Sequence, residues 1–481
     1  METLNAEKLE IMELVESRQG NLWRVSDAIW SYAELGLEEY KSSKLLADTL
    51  EDAGFQVARG VAGMPTAFVA SWSRGTSKPV IGFLAEYDAL PMISQKAGAS
   101  VQDPVVPGAP GHGCGHNTMG AMQALTVITM KDIMEKRDLN GTLKYFGSPA
   151  EEMLVSRPYM IRAGLFKDVE AVIDCHSSGD FSTSYGRSGA GMYSFVVTFK
   201  GKTAHSGANP WMGRSATDAV ELMHAGTERM REHTPVTQRT HWITLEGGEA
   251  PNVVPDRAST WYFIRDIDEN LEGRFDWVMD CAKGAALMTQ TTYEVKVLTA
   301  AHQRYSNKAL AELLFENIEA TGIPEYTDEE EAFANAIQES MGLPVKGLDY
   351  PLELTNADLE PYRGGSSDVG DVTLVAPCAS VRFPSRIPGE FPGHHWTVTT
   401  CGISSYAHKG ITAGAKAACG TTYDLLTKPE LLAQVRSEFE EFSRKRPYKT
   451  FLPDDAEPPL GWNTGLMGKF RPEMERFYIT P

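Results

Sequence analysis

Apolar positions recur with two different periods along this chain. Between residues 5 and 57 the spacing is helical, in Ala28-Ile-Trp-Ser-Tyr-Ala-Glu-Leu35 and again from Ser42 to Ala53, where Gly54 stops the pattern. Short apolar runs follow at Pro79–Ala85, Leu143–Gly147 and Ala171–Cys175, with helical stretches at Met119–Met134 and Ser156–Ala163 between them. Strands alternating with helices predict an α/β fold, a mostly parallel sheet flanked by helices. Ligands in such folds gather beyond the carboxyl ends of the strands. Asp88, Glu151, Glu152 and His176 all fall just past such ends.

The texture changes near Gly186. Tyr193-Ser-Phe-Val-Val-Thr-Phe-Lys200 alternates as a half-buried strand does. A helix follows at Ser215–Glu232, then strands around Thr240–Leu245 and Ala258–Ile267, a helix near Leu271–Met288 and a strand at Thr292–Leu298. The order β-α-β-β-α-β is that of a ferredoxin-like α+β unit. It predicts a domain at residues 187–303 inserted into an α/β domain made of residues 1–186 and 304–481. Helices resume from Asn307, with an acidic surface stretch at Glu325–Glu331. Leu348–Pro361 reads as loop, and two strands are expected to flank the Pro384–Pro392 loop. Helices at His408–Leu426 and Pro429–Lys445 precede a proline-rich tail that should wrap the surface.

A chain of 481 residues exceeds one hydrophobic core, in keeping with two domains. The net charge of −19 argues against nucleic acid and anionic membrane surfaces, and an anionic substrate would need a local cationic anchor. No apolar run is long enough to span a bilayer. The start, Met1 to Lys8, is charged and lacks the apolar core of a signal peptide, so the expected location is the cytoplasm. Six cysteines without a C-x-x-C pair make no disulfide framework, and only Cys114 stands out by its neighbours.

Those neighbours are Gly113-Cys114-Gly115-His116, a glycine-rich turn entering a helix. A thiolate and an imidazole two positions apart suit Zn or another late first-row divalent ion. Glu151 and Glu152 close the run Lys144-Tyr-Phe-Gly-Ser-Pro-Ala-Glu-Glu152. Adjacent side chains at a strand end point opposite ways, so one carboxylate can hold a metal while the other takes a proton from the water that the metal activates. Each element also has a plainer reading. The turn can be a helix entry, the Glu pair a solvated first turn of a helix, His176 a core histidine, His408 a helix cap, and His394 or His395 an exposed loop residue.

Taken together, Ala85-Glu-Tyr-Asp-Ala-Leu-Pro91, Gly111-His-Gly-Cys-Gly-His-Asn117, Pro149-Ala-Glu-Glu152, Thr203-Ala-His-Ser206, Gly247-Gly-Glu-Ala-Pro-Asn-Val-Val-Pro255, Ser367-Asp-Val-Gly-Asp371 and Ala407-His-Lys-Gly410 resemble the aminoacylase and carboxypeptidase type of metallopeptidases, in their amidohydrolase branch. The resemblance spans almost the whole chain. It implies a zinc-peptidase-like catalytic domain and an inserted domain that serves as lid and dimerisation unit. It implies a centre of two divalent ions, Zn or Mn, on Cys114, His116, Glu152, His176 and His408, with Glu151 as general base and Asp88 orienting a ligand. His205 would reach the partner's site to steady the oxyanion. Asn252, Arg265 and His394 would bind substrate, with Arg265 suited to a free carboxylate because guanidinium binds it as a fork. The implied substrate is an N-acyl or N-aroyl amino acid such as p-aminobenzoyl-glutamate. The implied assembly is a homodimer, or a hetero-oligomer with a related chain.

Two departures stand out. Asn117 occupies a position where many amidohydrolases of this type carry Asp, and Glu86-Tyr-Asp88 replaces Asp-Met-Asp. Three alternatives stay open: a dipeptidase or broad aminoacylase, a non-catalytic metal-binding protein that supports a paralogous partner, and a thiol enzyme using Cys114.

Overall fold

A computed structural model describes residues 6–360 and 365–481. The first residues of the charged N-terminus, 1–5, and Pro361 at the end of the expected loop lie outside that range. The larger sheet is built from β1 (Gln56–Arg59), β2 (Phe68–Arg74), β3 (Val80–Ala85), β4 (Gly141–Gly147), β5 (Ala171–Ser178) and β6 (Phe181–Ser188), joined by three strands from much later in the chain. Between these two groups the chain forms a second sheet from β7 (Gly191–Lys200), β8 (Arg239–Glu246), β9 (Arg257–Asp266) and β10 (Thr292–Ala301). It then returns with β11 (Arg304–Ser306), β12 (Leu352–Asn356) and β13 (Cys378–Pro384).

The strand order of the large sheet is β1-β2-β4-β3-β5-β13-β6-β11, with β12 against β6. The central pairs β4·β3, β3·β5 and β5·β13 are parallel, whereas β1·β2, β2·β4, β13·β6 and β6·β11 are antiparallel. The sheet is therefore mixed, and the expected parallel character belongs to its centre. Every residue of β3 is buried, as a strand covered on both faces requires. Helices Ala6–Tyr32, His116–Arg137 and Ser405–Thr427 pack together against one face, around Ile29, Met122, Phe83, Ile173 and Ile411. The other face is closed by a second core around Leu84, Phe146, Tyr159, Val172 and Val372.

The smaller sheet runs β10-β7-β9-β8, antiparallel throughout. Helices Ala216–Met230 and Asp268–Thr289 supply Val220, Met223, Val278 and Ala282 to its separate core. Among the described residues no helix is long and apolar enough to cross a membrane.

Two local expectations are corrected. Within the expected loop from Leu348, Leu352–Asn356 is strand β12, paired in parallel with β6. It is an exposed edge with little apolar alternation, so only its partner reveals it. After the Pro384–Pro392 loop comes a helix, Trp396–Cys401, where a strand was expected. Trp-Thr-Val-Thr-Thr-Cys favours strand by propensity, but His395 caps the turn at Thr397 N and all six helical residues are buried.

Candidate metal centre

The carboxyl ends of the central parallel strands converge on one polar cluster. Past β3 come Glu86 and Asp88, past β4 come Glu151 and Glu152, and the last turn of β5 carries His176. Gly115 adopts φ 77° just before the helix that begins with His116. A side chain there would meet Ser177 Cβ at 2.7 Å, so the close approach of this turn to β5 needs glycine. Glu151–Met153 form a single 3-10 turn held between Ala150 at φ 55° and Leu154 at φ 57°. Left-handed backbone at two non-glycine residues is strained and is kept only where surroundings enforce it. Here Glu39 does so in part, accepting Ala150 N at 2.7 Å.

Both histidines are fixed through Nδ1 and turn Nε2 into the cluster. His116 Nδ1 donates to Asp88 Oδ1 at 2.9 Å, and Asp88 Oδ2 accepts the Glu152 amide at 2.9 Å. His116 Nε2 then faces Glu86 Oε2 at 3.2 Å and Glu151 and Glu152 at 3.8 Å. His176 Nδ1 donates to the Ser177 carbonyl at 2.8 Å, which leaves Nε2 directed at Cys114 Sγ, 3.7 Å away. His394 Nε2 approaches Glu152 Oε2 at 3.2 Å. Cys114, His116 and His176 form one group whose ligand atoms lie within 4.8 Å of one another, and Cys114, Glu152 and His394 form a second. A third comprises Glu86, His116 and Glu151.

The electrostatics favour a cation among these groups. Burial opposes charge on His116, but Cys114, Glu86 and Asp88 outweigh it and hold the imidazole well above its ordinary pKa. Burial also opposes the Cys114 thiolate, yet Arg386, His116 and His176 hold the thiol well below its usual range. The Glu151 and Glu152 carboxyls are pushed well up, first by burial and then by the anions around them, Glu86 for Glu151 and Cys114 for Glu152. Among the described residues, His116 Nε2, Glu86 Oε2 and Glu152 Oε1 are buried without a hydrogen-bond partner. Carboxylate oxygens, a thiol and imidazole nitrogens turned onto one another in a buried site are a donor set that fits a divalent metal.

The cluster thus brings together Asp88, Cys114, His116, Glu151, Glu152, His176 and His394. It does not include His408, expected as a ligand. That imidazole donates through Nε2 to Asp27 Oδ1 at 2.7 Å and stacks on Trp23 at 5.1 Å, one turn inside the helix Ser405–Thr427. His394, expected at the substrate, stands in the second ligand group instead. His205 and Asn252 are exposed on the smaller-sheet unit, and neither hydrogen-bonds to the cluster among the described residues. Arg265 on β9 is partly buried, its Nε has no partner among the described residues, and its guanidinium senses the Glu151 carboxylate. Asn117 lies beneath the site, tying its helix to Ser26 Oγ at 3.0 Å and Gly402 O at 2.9 Å.

Three residues went unread in the sequence. Glu86 carries the signal of standing two positions before Asp88. Arg157, in a short helix, and Arg386, in a loop, carry none, since a basic residue in either place reads as surface. Arg157 is fully buried and pairs with Glu86 at 2.7 Å and with Asp368, which anchors the acidic side of the cluster.

Comparison with known proteins decides the family. Residues 82–346, more than half of the chain, match the model of peptidase family M20/M25/M40. The chain belongs to this family. It is 34% identical over 474 residues to one of the subunits of p-aminobenzoyl-glutamate hydrolase from Escherichia coli strain K12, covering 93% of this chain and 98% of that one. It is 28% identical over 451 residues to human Xaa-Arg dipeptidase, covering 90% and 92%. The crystal structure of an aminobenzoyl-glutamate utilization protein from Klebsiella pneumoniae superposes with a TM-score of 0.60 at 18% identity, covering 86% of this chain and 98% of that one. The family expected from the motifs is the one found, and the chain is a hydrolase of the M20 type.

Proposed function

We propose that this M20 hydrolase cleaves the amide of N-acyl or N-aroyl amino acids, p-aminobenzoyl-glutamate among them, at a centre of two divalent ions, Zn or Mn. The observation that carries the reading is the pair of ligand groups sharing Cys114, with buried acceptors left open between them. Cys114, His116 and His176 would hold one ion, and Cys114, Glu152 and His394 the other, with His394 taking the place first given to His408. Thiolate and imidazole favour Zn, though cellular supply decides occupancy as much as affinity does. When bound, the ions would polarise the scissile carbonyl and make water a nucleophile near neutral pH.

The chain's own residues do the rest. Asp88 fixes the His116 ring through Nδ1, so Nε2 stays available as a ligand. Glu151 shares the anionic surroundings of His116, and among the described residues no hydrogen bond ties up its carboxylate, which suits it to take a proton from water and pass it to the departing amine. Arg265, partly buried, with no partner for its Nε among the described residues and close enough to Glu151 to feel its charge, suits the free carboxylate of the amino-acid half. His205 Nδ1 accepts from the amides of Gly207 and Ala208, both at 3.1 Å, so Nε2 carries the proton and points out as a donor. We assign it to the oxyanion of a partner's site, reached through pairing of the unit at residues 187–303 between two copies of the chain.

The direct test assays purified, chelated protein reloaded with Zn or Mn against p-aminobenzoyl-glutamate and a panel of N-acyl amino acids. Metal-dependent hydrolysis is expected, and no hydrolysis with any metal would sink the proposal. Mixing inactive Glu151→Gln and inactive His205→Ala proteins should restore part of the activity through hybrid dimers. No recovery despite proven exchange between dimers removes the role of His205 in the partner's site. A dipeptidase reading is favoured by the likeness to Xaa-Arg dipeptidase. Faster turnover of Xaa-Arg dipeptides than of N-aroyl amino acids, with KM indifferent to Arg265→Ala, would establish it instead.

A further inference from the structure

Cys114, His176 and His394 come from three distant parts of the chain, and one side chain bonds to the settings of the first two from the loop that leads to the third. Arg386 lies in the loop after β13, on the way to His394. Its Nη2 donates to the Cys114 carbonyl and lies 3.4 Å from the Cys114 sulfur. Its Nε donates to Ser177 Oγ at 3.1 Å. Ser177 follows His176, and its carbonyl is the acceptor that fixes the His176 ring at 2.8 Å. The Arg386 loop is itself pinned to the same strand end. The amides of Ser385 and Arg386 donate to Ser178 O at 3.1 and 2.9 Å, the Ser385 and Ser177 hydroxyls bond at 2.7 Å, and Tyr350 Oη donates to Arg386 O at 2.8 Å.

A guanidinium can do this because Nε and one Nη point the same way along one flat edge, presenting two donors at fixed spacing. An ammonium is a single point and cannot span both acceptors. From this geometry we propose that Arg386 is a positioning residue for the metal centre, setting the distance between Cys114 and His176, securing the loop that leads to His394, and giving the Cys114 thiolate a charge-assisted hydrogen bond. The proposal rests on the two-ion reading above. A thiolate that accepts such a bond would be a weaker electron donor to a metal than a bare one, because the bond stabilises its lone pairs.

The test uses full-length protein stripped by a chelator and reloaded with Co²⁺ alone. Wild type should show a sulfur-to-cobalt charge-transfer band in the near ultraviolet. In Arg386→Gln and Arg386→Lys that band should move to longer wavelength, since the sulfur lone pairs lie higher once the bond is lost or misplaced. Affinity for Co²⁺, measured by chelator competition, should fall about 10–100-fold, the usual effect of losing a partner behind a metal ligand. A thermal melt of the metal-free proteins separates these effects from misfolding, and the lysine variant carries the test if the glutamine variant does not fold. Either folded variant with a wild-type band and wild-type affinity overturns the role of Arg386 while leaving the metal centre standing. A wild type that binds Co²⁺ without the band removes Cys114 as a ligand, and with it both readings.

Discussion

Two buried clusters in this chain contain a histidine among carboxylates, and they are finished in different ways. At His302, Nδ1 bonds to Asp268 Oδ2 at 2.9 Å, the backbone amide donates to Asp371 Oδ2 at 2.9 Å, and Tyr448 and Tyr305 donate to the two carboxylates at 2.9 and 3.0 Å. His302 Nε2 donates to Lys449 O at 2.9 Å, binding the C-terminal segment to the base of the smaller-sheet unit. At His116 the ring is fixed by Asp88 on one side only, and among the described residues Nε2, Glu86 Oε2 and Glu152 Oε1 have no hydrogen-bond partner. The ingredients match, but the protein supplies the missing donors in one place and withholds them in the other. A closed set of this kind is a joint, whereas an open one at strand ends is a place for a cation.

The comparison breaks most visibly at Glu151. Glu151→Gln should keep its metal and lose about 10²–10⁴-fold in kcat, the usual worth of a general base. Elemental analysis beside steady-state kinetics checks both halves, and unchanged kcat would remove Glu151 from the chemistry. Next in size is Arg157, the one protein cation paired with the acidic side of the open cluster among the described residues. Arg157→Met leaves Glu86 and Asp368 buried without it and should cost about 3–5 kcal/mol in urea unfolding. A loss below about 1 kcal/mol would mean that the carboxylates are neutral or otherwise answered.

A smaller effect sharpens the closed side. Burial pushes the Asp371 carboxyl up to about 6, against the pull of His302 and its hydrogen bonds. The unfolded chain has it near about 3.9, so between those values the folded state holds the extra proton. The Asp371 contribution is therefore fully present at low pH and is lost as pH rises through about 6. Asp371→Asn, neutral throughout, should destabilise most below about pH 4, by about 1–3 kcal/mol, and progressively less as the pH rises through about 6. Thermal melts of both proteins across that window test the sign. A penalty that grows with pH contradicts it.

Much of the open cluster was legible because its members sit where local rules place chemistry. Cys114 and His116 flank a glycine turn at a helix entry, and Glu151, Glu152 and His176 close apolar strands. The two helices and four strands between Gly191 and Ala301 were legible from their periodicity. What escaped depends on contacts between distant residues. Arg157 is buried because Asp368, far along the chain, comes to meet it. His408 and His394 look alike in sequence, each near a helix start. Only the packing of the first helix, which brings Trp23 and Asp27 onto His408, separates them. Strand β12 and the helix Trp396–Cys401 were missed for the same reason, since tertiary partners override weak local patterns.

That pair of histidines gives the most direct test of the central claim. Metal stoichiometry of His394→Ala and His408→Ala, purified alongside wild type and measured by elemental analysis, reads the ligand set without reference to any substrate. The account predicts that His394→Ala loses about one ion per chain and His408→Ala keeps the wild-type content. Loss from His408→Ala with full retention in His394→Ala would contradict it.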